Sequence, residues 1–418
     1  MGLIVIFVGV VFLHSLISAR LERTVVTAPM LFTGAGALAL LVLPELRTRT
    51  GGHDAFLHVA EIGLVLLLFT DACRTDLGVL KDIRNLPTRL LSAGMLLTIA
   101  LGAVGAVLVF PELSVWEAGI LAAILAPTDA GLGQVIVSSP RVPMKIRQAL
   151  NVEAGLNDGL AVPFLLFFIA LAGGGDRESV TLTRFIVEQL GFGTLLGLGI
   201  GLIGGWLLGT AARRSWMAHS SQQIGVVALP IICLLASEGV GASMFIAAFV
   251  AGLAVQAGFA DARHRSVEFT DEWGQLCNLS VFFLFGLLVA RAWSEIGGRH
   301  LLYAIASLTV VRLVPVAIAL VGTRLSRATV LFMGWFGPRG LASIVLGLVY
   351  LEQRAHQSDE PTIRLAVMTT VLLSIVMHGA SAMMGIDLYA RTIEMLPAGA
   401  PEREADHRVA ELPSARLS

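Results

Sequence analysis

The run Ala126-Pro127-Thr128-Asp129-Ala130-Gly131 and, a little further on, Glu153 and Asn157-Asp158 set carboxylates inside long apolar stretches. A charged side chain at the centre of a bilayer costs roughly 2.5–3.5 kcal/mol or more, so such groups normally line a route for ions or protons. A carboxylate can hold a proton or a hard monovalent cation through the same oxygens. Competition between the two at a single acid is enough for exchange, and no other reacting group is needed.

Membrane helices must position these acids. The 418 residues are 56% hydrophobic and 14% charged, with a mean hydropathy of +0.81, well outside the range of a soluble domain. A net charge of -1 without a long basic run gives no reason to expect nucleic-acid binding. Cys73, Cys233 and Cys277 lack metal-ligand spacing and read as small buried hydrophobes, not as disulfides or zinc ligands. Met1 to Ala19 has the apolar run of a signal peptide but no positive segment before it, and it leads straight into further apolar runs, so it reads as the first span.

Apolar windows of membrane-spanning length fall near 2-18, 27-44, 56-72, 89-110, 117-136, 146-172, 183-210, 222-238, 240-258, 273-292, 300-323, 330-350 and 362-384, about thirteen in all. The predicted fold class is therefore all-α, a polytopic membrane protein. An odd number of spans puts the termini on opposite sides. Lys and Arg in the short loops are biased two to one toward the side that holds the C-terminus, which predicts an external N-terminus and a cytoplasmic C-terminus. Residues 1-391 form the expected membrane domain. The tail at 392-418 mixes Pro, Glu, Arg and Ala without apolar periodicity and is expected to be disordered.

Two windows are interrupted. In the fifth, Pro127 removes a backbone donor and Gly131 and Gly133 loosen the helix beside Thr128 and Asp129. In the twelfth, Gly334, Gly337, Pro338 and Gly340 do the same around Arg339. Each break is fifth in its set of six spans, and the single span between the sets inverts the second relative to the first. Broken helices at matching positions of two inverted halves mark the midplane site of secondary transporters. Ordinary kinks are the plainer alternative, but both breaks carry an ionisable residue. Where two such segments cross, exposed N–H and C=O dipoles face one another and fixed charges can neutralise them. Asp129 suits the N–H ends and Arg339 the C=O ends.

At about 100° per residue, Glu153 and Asn157 share a helix face while Asp158 lies about 140° around from Glu153. Glu153 is best paired with Arg312 in the eleventh window, since a lone buried charge of either sign is expensive. Asp158 is left to alternate between a proton and a cation, and Asn157 can hydrogen-bond but not titrate. One titrating group implies about one proton per cycle, so exchange for a singly charged cation is electroneutral and insensitive to membrane potential. Asp71, after Thr70 at the end of the third window, either reaches the same cavity or is solvated. Glu61 and Glu238 sit near span ends, and His378 reads better as a packing histidine than as a pH-responsive group.

These residues resemble the NhaP-like monovalent cation:proton antiporters, bacterial relatives of animal sodium/proton exchangers. The resemblance covers most of the membrane region and rests on Pro127-Thr128-Asp129, Glu153 with Asn157-Asp158, Phe249-Val250-Ala251-Gly252-Leu253, Arg312 and Gly337-Pro338-Arg339-Gly340. It implies the NhaA/NhaP-like fold, with inverted six-helix repeats, two crossing interrupted helices, and a core built around 117-136, 146-172, 300-323 and 330-350. It implies a homodimer in the plasma membrane in which this core moves like an elevator against a dimerisation region, carrying Na⁺ or Li⁺ against H⁺ without a cofactor. It makes Asp158 the essential acid, gives the Thr128 carbonyl to the cation, and lets Asp129 and Asn157 support the site. Ala154 and Thr70 depart from the Ser and Glu common in relatives, which removes one hydroxyl ligand and leaves Asp71 as a neighbour of the expected third-span acid, not an exact substitute for it. A K⁺/H⁺ antiporter of the same fold is the first alternative. A cation channel or membrane sensor is the second, against which stands the lack of a carbonyl-lined filter signature.

Overall fold

The computed structural model describes residues 2–21, 24–43, 53–74, 85–173, 191–259, 265–354, 360–397 and 399–402. Every regular element among them is helical. In chain order these are α1 (Gly2–Leu21), α2 (Ala28–Val42), α3 (His53–Arg74) and α4 (Asn85–Arg89), which passes through a π-turn (Leu90–Gly94) into α5 (Met95–Val109). Then come α6 (Val115–Ile124), α7 (Ala130–Val137), α8 (Met144–Ala172), α9 (Gly193–Arg213), α10 (His219–Val240), α11 (Met244–Val255) and α12 (Arg265–Ala292). The chain closes with α13 (Gly298–Leu308), α14 (Val310–Ala319), α15 (Arg327–Trp335), α16 (Leu341–Arg354) and α17 (Glu360–Glu394). Among the described residues, eight helical stretches are long and apolar enough to cross a membrane, and shorter apolar helices such as α2, α6 and α11 lie among them. This is a multi-pass membrane protein.

Local sequence sets the helix starts. Thr27, Ser114, Asp129, Ser243 and Ser326 each stand in extended conformation at an N-cap and accept the amide three residues on, satisfying a donor that the first turn leaves orphaned. At Ser114 the box is closed from both sides, because Glu117 Oε2 accepts the Ser114 amide at 2.8 Å.

In lipid the helices gain little from apolar burial against each other, so close backbone approach through small residues becomes the main source of attraction. Buried Gly193, Gly197, Gly201, Gly205 and Gly209 repeat every fourth residue along one face of α9, the face that meets α11. A Cβ at Gly201 would lie 2.6 Å from the Ala251 carbonyl oxygen, whereas one at Gly199 would meet nothing within 4 Å. Gly201→Leu should therefore destabilise the protein by about 1–3 kcal/mol or more through overpacking, and Gly199→Leu should be tolerated. Thermal unfolding of the two variants in detergent distinguishes them, and equal melting temperatures would count against this packing.

Among the described residues a small apolar cluster of Leu40 and Leu287 accompanies two large ones that organise the interior. The larger joins α3, α6, α8, α11, α12, α16 and α17 through residues such as Leu68, Ile124, Leu165, Phe245, Phe282, Val345 and Val371. The smaller gathers Leu90, Ile146, Val316, Phe332 and Ile386 around the start of α8 and the ends of α14 and α17. By contrast, α1 buries none of its residues within the chain. All three cysteines are free.

Some boundaries differ from the sequence reading. The window at 300-323 is divided at Thr309, whose φ of -109° and ψ of -90° are not helical, and its hydroxyl turns back to the Ile305 carbonyl at 2.6 Å. The helix of the seventh window, α9, is described from Gly193, and 183–190 lie outside the described residues, as do loop residues Arg23, Arg47, Arg49, Lys81, Arg84, Arg177, Arg184 and Arg263 and everything beyond Glu402. The last helix runs on to Glu394, past the expected boundary at 392. The chain then returns to the protein, where Glu402 is buried. Its Oε1 accepts the Ser326 amide at 2.7 Å and the Thr329 hydroxyl at 2.9 Å, and Lys145 Nζ donates to the Pro401 carbonyl at 3.2 Å. The apolar pattern gave no sign of this docking, because polar caps hold it.

Burial alone would push the Glu402 carboxyl up, but hydrogen bonds from the Ser326 amide, from its own amide and from the two hydroxyls outweigh it and hold the group below its usual range. A carboxyl lowered on folding stabilises the folded state above its unfolded pKa and loses that contribution as pH falls through the folded value. Glu402→Gln should thus cost about 1–3 kcal/mol at neutral pH. The gap in melting temperature from wild type should close below about pH 4, and a gap independent of pH would contradict the assignment.

Candidate cation and proton site

Both predicted breaks are present, and they cross. The chain leaves α6 at Leu125, runs non-helically through Ala126, Pro127 and Thr128, and re-enters a helix at Asp129, the N-cap of α7. It leaves α15 at Phe336 and re-enters at Leu341. The two connections are joined backbone to backbone, since the Asp129 amide donates to the Pro338 carbonyl at 2.8 Å.

Asp129 caps two helices with one carboxylate. Its Oδ1 accepts the Leu132 amide at 2.8 Å in α7 and its Oδ2 accepts the Leu341 amide at 2.6 Å in α16, so a negative charge sits where two positive helix ends converge. Arg339 does the converse. Its Nη1 donates to the Ala126 carbonyl at 2.5 Å and the Pro127 carbonyl at 3.0 Å, the oxygens left open where α6 ends. The side chain is fully buried, and its amide donates to Ser374 Oγ of α17 at 2.6 Å.

Glycines flank Arg339 for steric reasons. A Cβ at Gly340 would collide with the Asp129 carboxylate, and one at Gly337 with the Arg312 guanidinium. Arg312 Nη1 donates to Glu153 Oε1 at 2.7 Å, with both side chains almost completely buried. That ion pair ties α14 to α8 across the membrane interior.

Asp158, Asn157 and Thr128 lie together beside the first break. Asn157 Nδ2 donates to Thr128 Oγ1 at 2.7 Å. Asp158 is 5% exposed, and its Oδ1 and the Asn157 Oδ1 find no donor among the described residues. Buried acceptors without donors suit a cation or a proton, because either supplies the missing positive partner. Asp71 of α3 packs over α8 at Gly155, where a Cβ would lie 3.4 Å from its own Cβ, and both Asp71 and Asp129 act on Asp158 electrostatically. Thr70 is buried beside it. Phe249 of α11 presses on Gly159, next to Asp158.

A narrow cavity beside the break is lined by Thr128, Asp129, Leu150, Ala154, Phe336 and Pro338 and extends toward the α7–α8 connection. Ala154 stands one helical turn before Asp158, so this cavity wall and the acid share a face of α8. Among the described residues no three His, Cys, Asp or Glu side chains gather as metal ligands. Asp158 with the neutral oxygens of Asn157 and Thr128 beside it is a set of groups that would suit a hard, singly charged ion.

The sequence reading did not single out Ser374 or Asn278. Ser374 receives the Arg339 amide. Asn278 of α12 is half-buried, and its Nδ2 would lie 3.6 Å from a Cβ at Gly131, in the first turn of α7. A polar residue recurring in an apolar span was the available signal in each case.

Crossed, interrupted helices held by fixed charges around a buried acid define a membrane protein of the secondary-transporter class. The chain belongs to the sodium/hydrogen exchanger transmembrane family, which matches residues 2–383. It has the same fold as the sodium proton antiporter MjNhaP1 from Methanocaldococcus jannaschii, with a TM-score of 0.71 and 21% identity over 90% of this chain and 98% of that one. It is 27% identical over 329 residues to the K⁺/H⁺ antiporter NhaP2 of Shewanella sp. (strain MR-4), which covers 77% of this chain and 56% of the relative. It is 26% identical over 308 residues to a Na⁺/H⁺ antiporter of Schizosaccharomyces pombe, covering 65% of this chain and 64% of the relative. The chain thus spans little more than half the length of the NhaP2 proteins it matches.

Proposed function

We propose that the protein is a secondary active antiporter that exchanges a monovalent cation, Na⁺ or Li⁺, for H⁺ at Asp158. One observation carries the reading: a buried carboxylate with an oxygen that lacks a donor, one turn along α8 from a cavity. Thr128 and Asn157 add neutral oxygens, and Asp71 and Asp129 add negative potential. Because Asn157 cannot titrate and Glu153 is committed to Arg312, one proton exchanges per cation and the cycle is electroneutral. The fixed charges of Asp129 and Arg339 keep the broken helices together while a core built around α6, α7, α8, α13, α14, α15 and α16 moves against the dimerisation region.

In this reading the protein is a plasma-membrane homodimer with an external N-terminus, and the outward face of α1, which has no fully buried residue, contributes to the contact between copies. K⁺ is the second candidate cation, favoured by the K⁺/H⁺ activity named for the NhaP2 relatives. Purified protein in liposomes with an imposed pH gradient, challenged with Na⁺, Li⁺ and K⁺ at clamped voltage, tests both. Cation-dependent collapse of the gradient, unaffected by voltage, is expected. Conduction without saturable exchange would replace the antiporter by a channel.

A further inference from the structure

Helix faces that meet lipid carry apolar side chains, and the exposed residues along α1, α2 and α9 include Val5, Leu38 and Leu202. The helix α7 differs. Its exposed positions are Gly131 and Gln134, followed by Ser138 at its C-cap, spaced three and four apart and so on one face. Among the described residues of α8, Asn151 alone is exposed, and at seven residues before Asp158 it shares that acid's face. On α12, Gln275 is exposed and Asn278 half-buried, and the same face continues through buried Val281, Phe282 and Phe285. Polar side chains at membrane depth face the protein interior or water, not lipid.

Two close approaches set these faces opposite one another. A Cβ at Gly131 would lie 3.1 Å from Asp129 Oδ1 and 3.6 Å from Asn278 Nδ2, and a Cβ at Gly155 would lie 3.4 Å from Asp71 Cβ. The helices α7 and α8 thus face α12 and α3 across a polar cleft. It is open at Gln134, Asn151 and Gln275 and narrows to Gly131 and Asn278, with the buried Asp129 and Asp158 beyond. Asn278 is the last polar position on its face of α12. Its Oδ1 is buried and finds no donor among the described residues, so it lacks the positive partner that a carbonyl oxygen calls for.

We propose that Asn278 is a specificity-determining residue: its amide oxygen takes the place of a water ligand of the incoming cation at the narrow end of the cleft, before the ion reaches Asp158. A neutral oxygen holds a singly charged ion firmly enough to admit it and weakly enough to pass it on, and it favours the ion whose hydration it best replaces. For its effect on exchange the inference rests on the antiport reading; for the cleft and its capacity to hold a cation it does not.

The first measurement is thiol accessibility in nanodiscs. Gln134, Asn151, Ile136 and Leu202 are each replaced by Cys in Cys277→Ser protein, where Cys73 and Cys233 are buried, and treated with a charged, water-soluble thiol reagent. Gln134→Cys and Asn151→Cys should react at least about tenfold faster than Ile136→Cys, which is buried, and Leu202→Cys, which lies on an apolar face. The second is exchange in liposomes. Asn278→Leu should raise the half-saturating cation concentration about tenfold and alter the ratio between Na⁺ and K⁺, with a smaller loss in maximal rate. Asn278→Gln, which keeps the amide oxygen, should restore most of the loss. A residue that merely braces α12 would lower the maximal rate equally for every cation. The third is thermal unfolding with Na⁺ or K⁺ titrated in. Asp158→Asn combined with Asn278→Asp should be stabilised by the cation, and Asp158→Asn combined with Asn278→Leu should not.

Unreactive Gln134→Cys and Asn151→Cys, an unchanged half-saturation and cation ratio in Asn278→Leu, or no cation response in Asp158→Asn with Asn278→Asp would overturn the inference. If Asn278→Leu does not fold, the comparisons of wild type with Asn278→Gln and of Asp158→Asn with and without Asn278→Asp decide it. A wild-type protein without exchange activity would overturn the antiport reading alone, since labelling and the thermal titration still decide the role of Asn278.

Discussion

Asp158→Asn is expected to abolish cation-dependent proton movement in liposomes while leaving a folded protein. The amide is close to isosteric with the carboxylate, so α8 and its packing on Phe249 are retained, but the side chain can neither titrate nor present a negative charge. A cation about 4 Å from the missing charge, at an effective dielectric near 20, loses about 4 kcal/mol, roughly a thousandfold in affinity. The loss should appear both as absent exchange and as absent cation binding. Asp129→Asn should behave differently: with the two amide contacts of Asp129 weakened, the crossing is destabilised and the melting temperature falls along with transport. Normal exchange by Asp158→Asn would remove the central assignment.

The second large effect concerns the pair formed by Glu153 and Arg312. Their contact at 2.7 Å with almost no exposure means that removing one partner strands the other charge in the interior. Arg312→Leu alone should destabilise by about 3–5 kcal/mol, whereas Glu153→Leu combined with Arg312→Leu should regain most of that loss. A double-mutant cycle by thermal unfolding in detergent measures the coupling directly. The double variant should also retain exchange to a measurable degree, because the pair holds α14 to α8 and does not touch the ion. Single variants as stable as wild type would contradict this, as would a double variant no better than the worse single one.

How far the site is legible in the sequence depends on the kind of signal. The two breaks are written in backbone chemistry, in Pro127 and in Gly337-Pro338 with Gly340, and they fall where the helices stop. The partnership of Glu153 and Arg312 is legible because an ionised group in an apolar span demands an opposite charge, and few are available. The number of contacts each charge makes is not legible. That Asp129 caps α16 as well as α7, and that Gly340 must lack a side chain to let it do so, depends on how two distant segments cross. Ser374 and His378 look like isolated polar residues in an apolar helix until the fold lays them beside Arg339 and Trp335. The same holds at the end of the chain, where Glu402 sits in a stretch of unpatterned composition and is fixed by a helix start some 76 residues earlier. The non-helical turn at Thr309 carries no Gly, and the nearby Pro315 lies inside the following helix, so the apolar window runs unbroken across it.

The most direct test of one acid serving two ions is proton release on cation binding, measured with purified protein in weakly buffered detergent. Saturating Na⁺, or K⁺ if that is the cargo, should release about one proton per chain from wild type at a pH where Asp158 is protonated, and none from Asp158→Asn. Cation binding without proton release in wild type, or undiminished release from Asp158→Asn, would show that the two ions do not compete at this carboxylate.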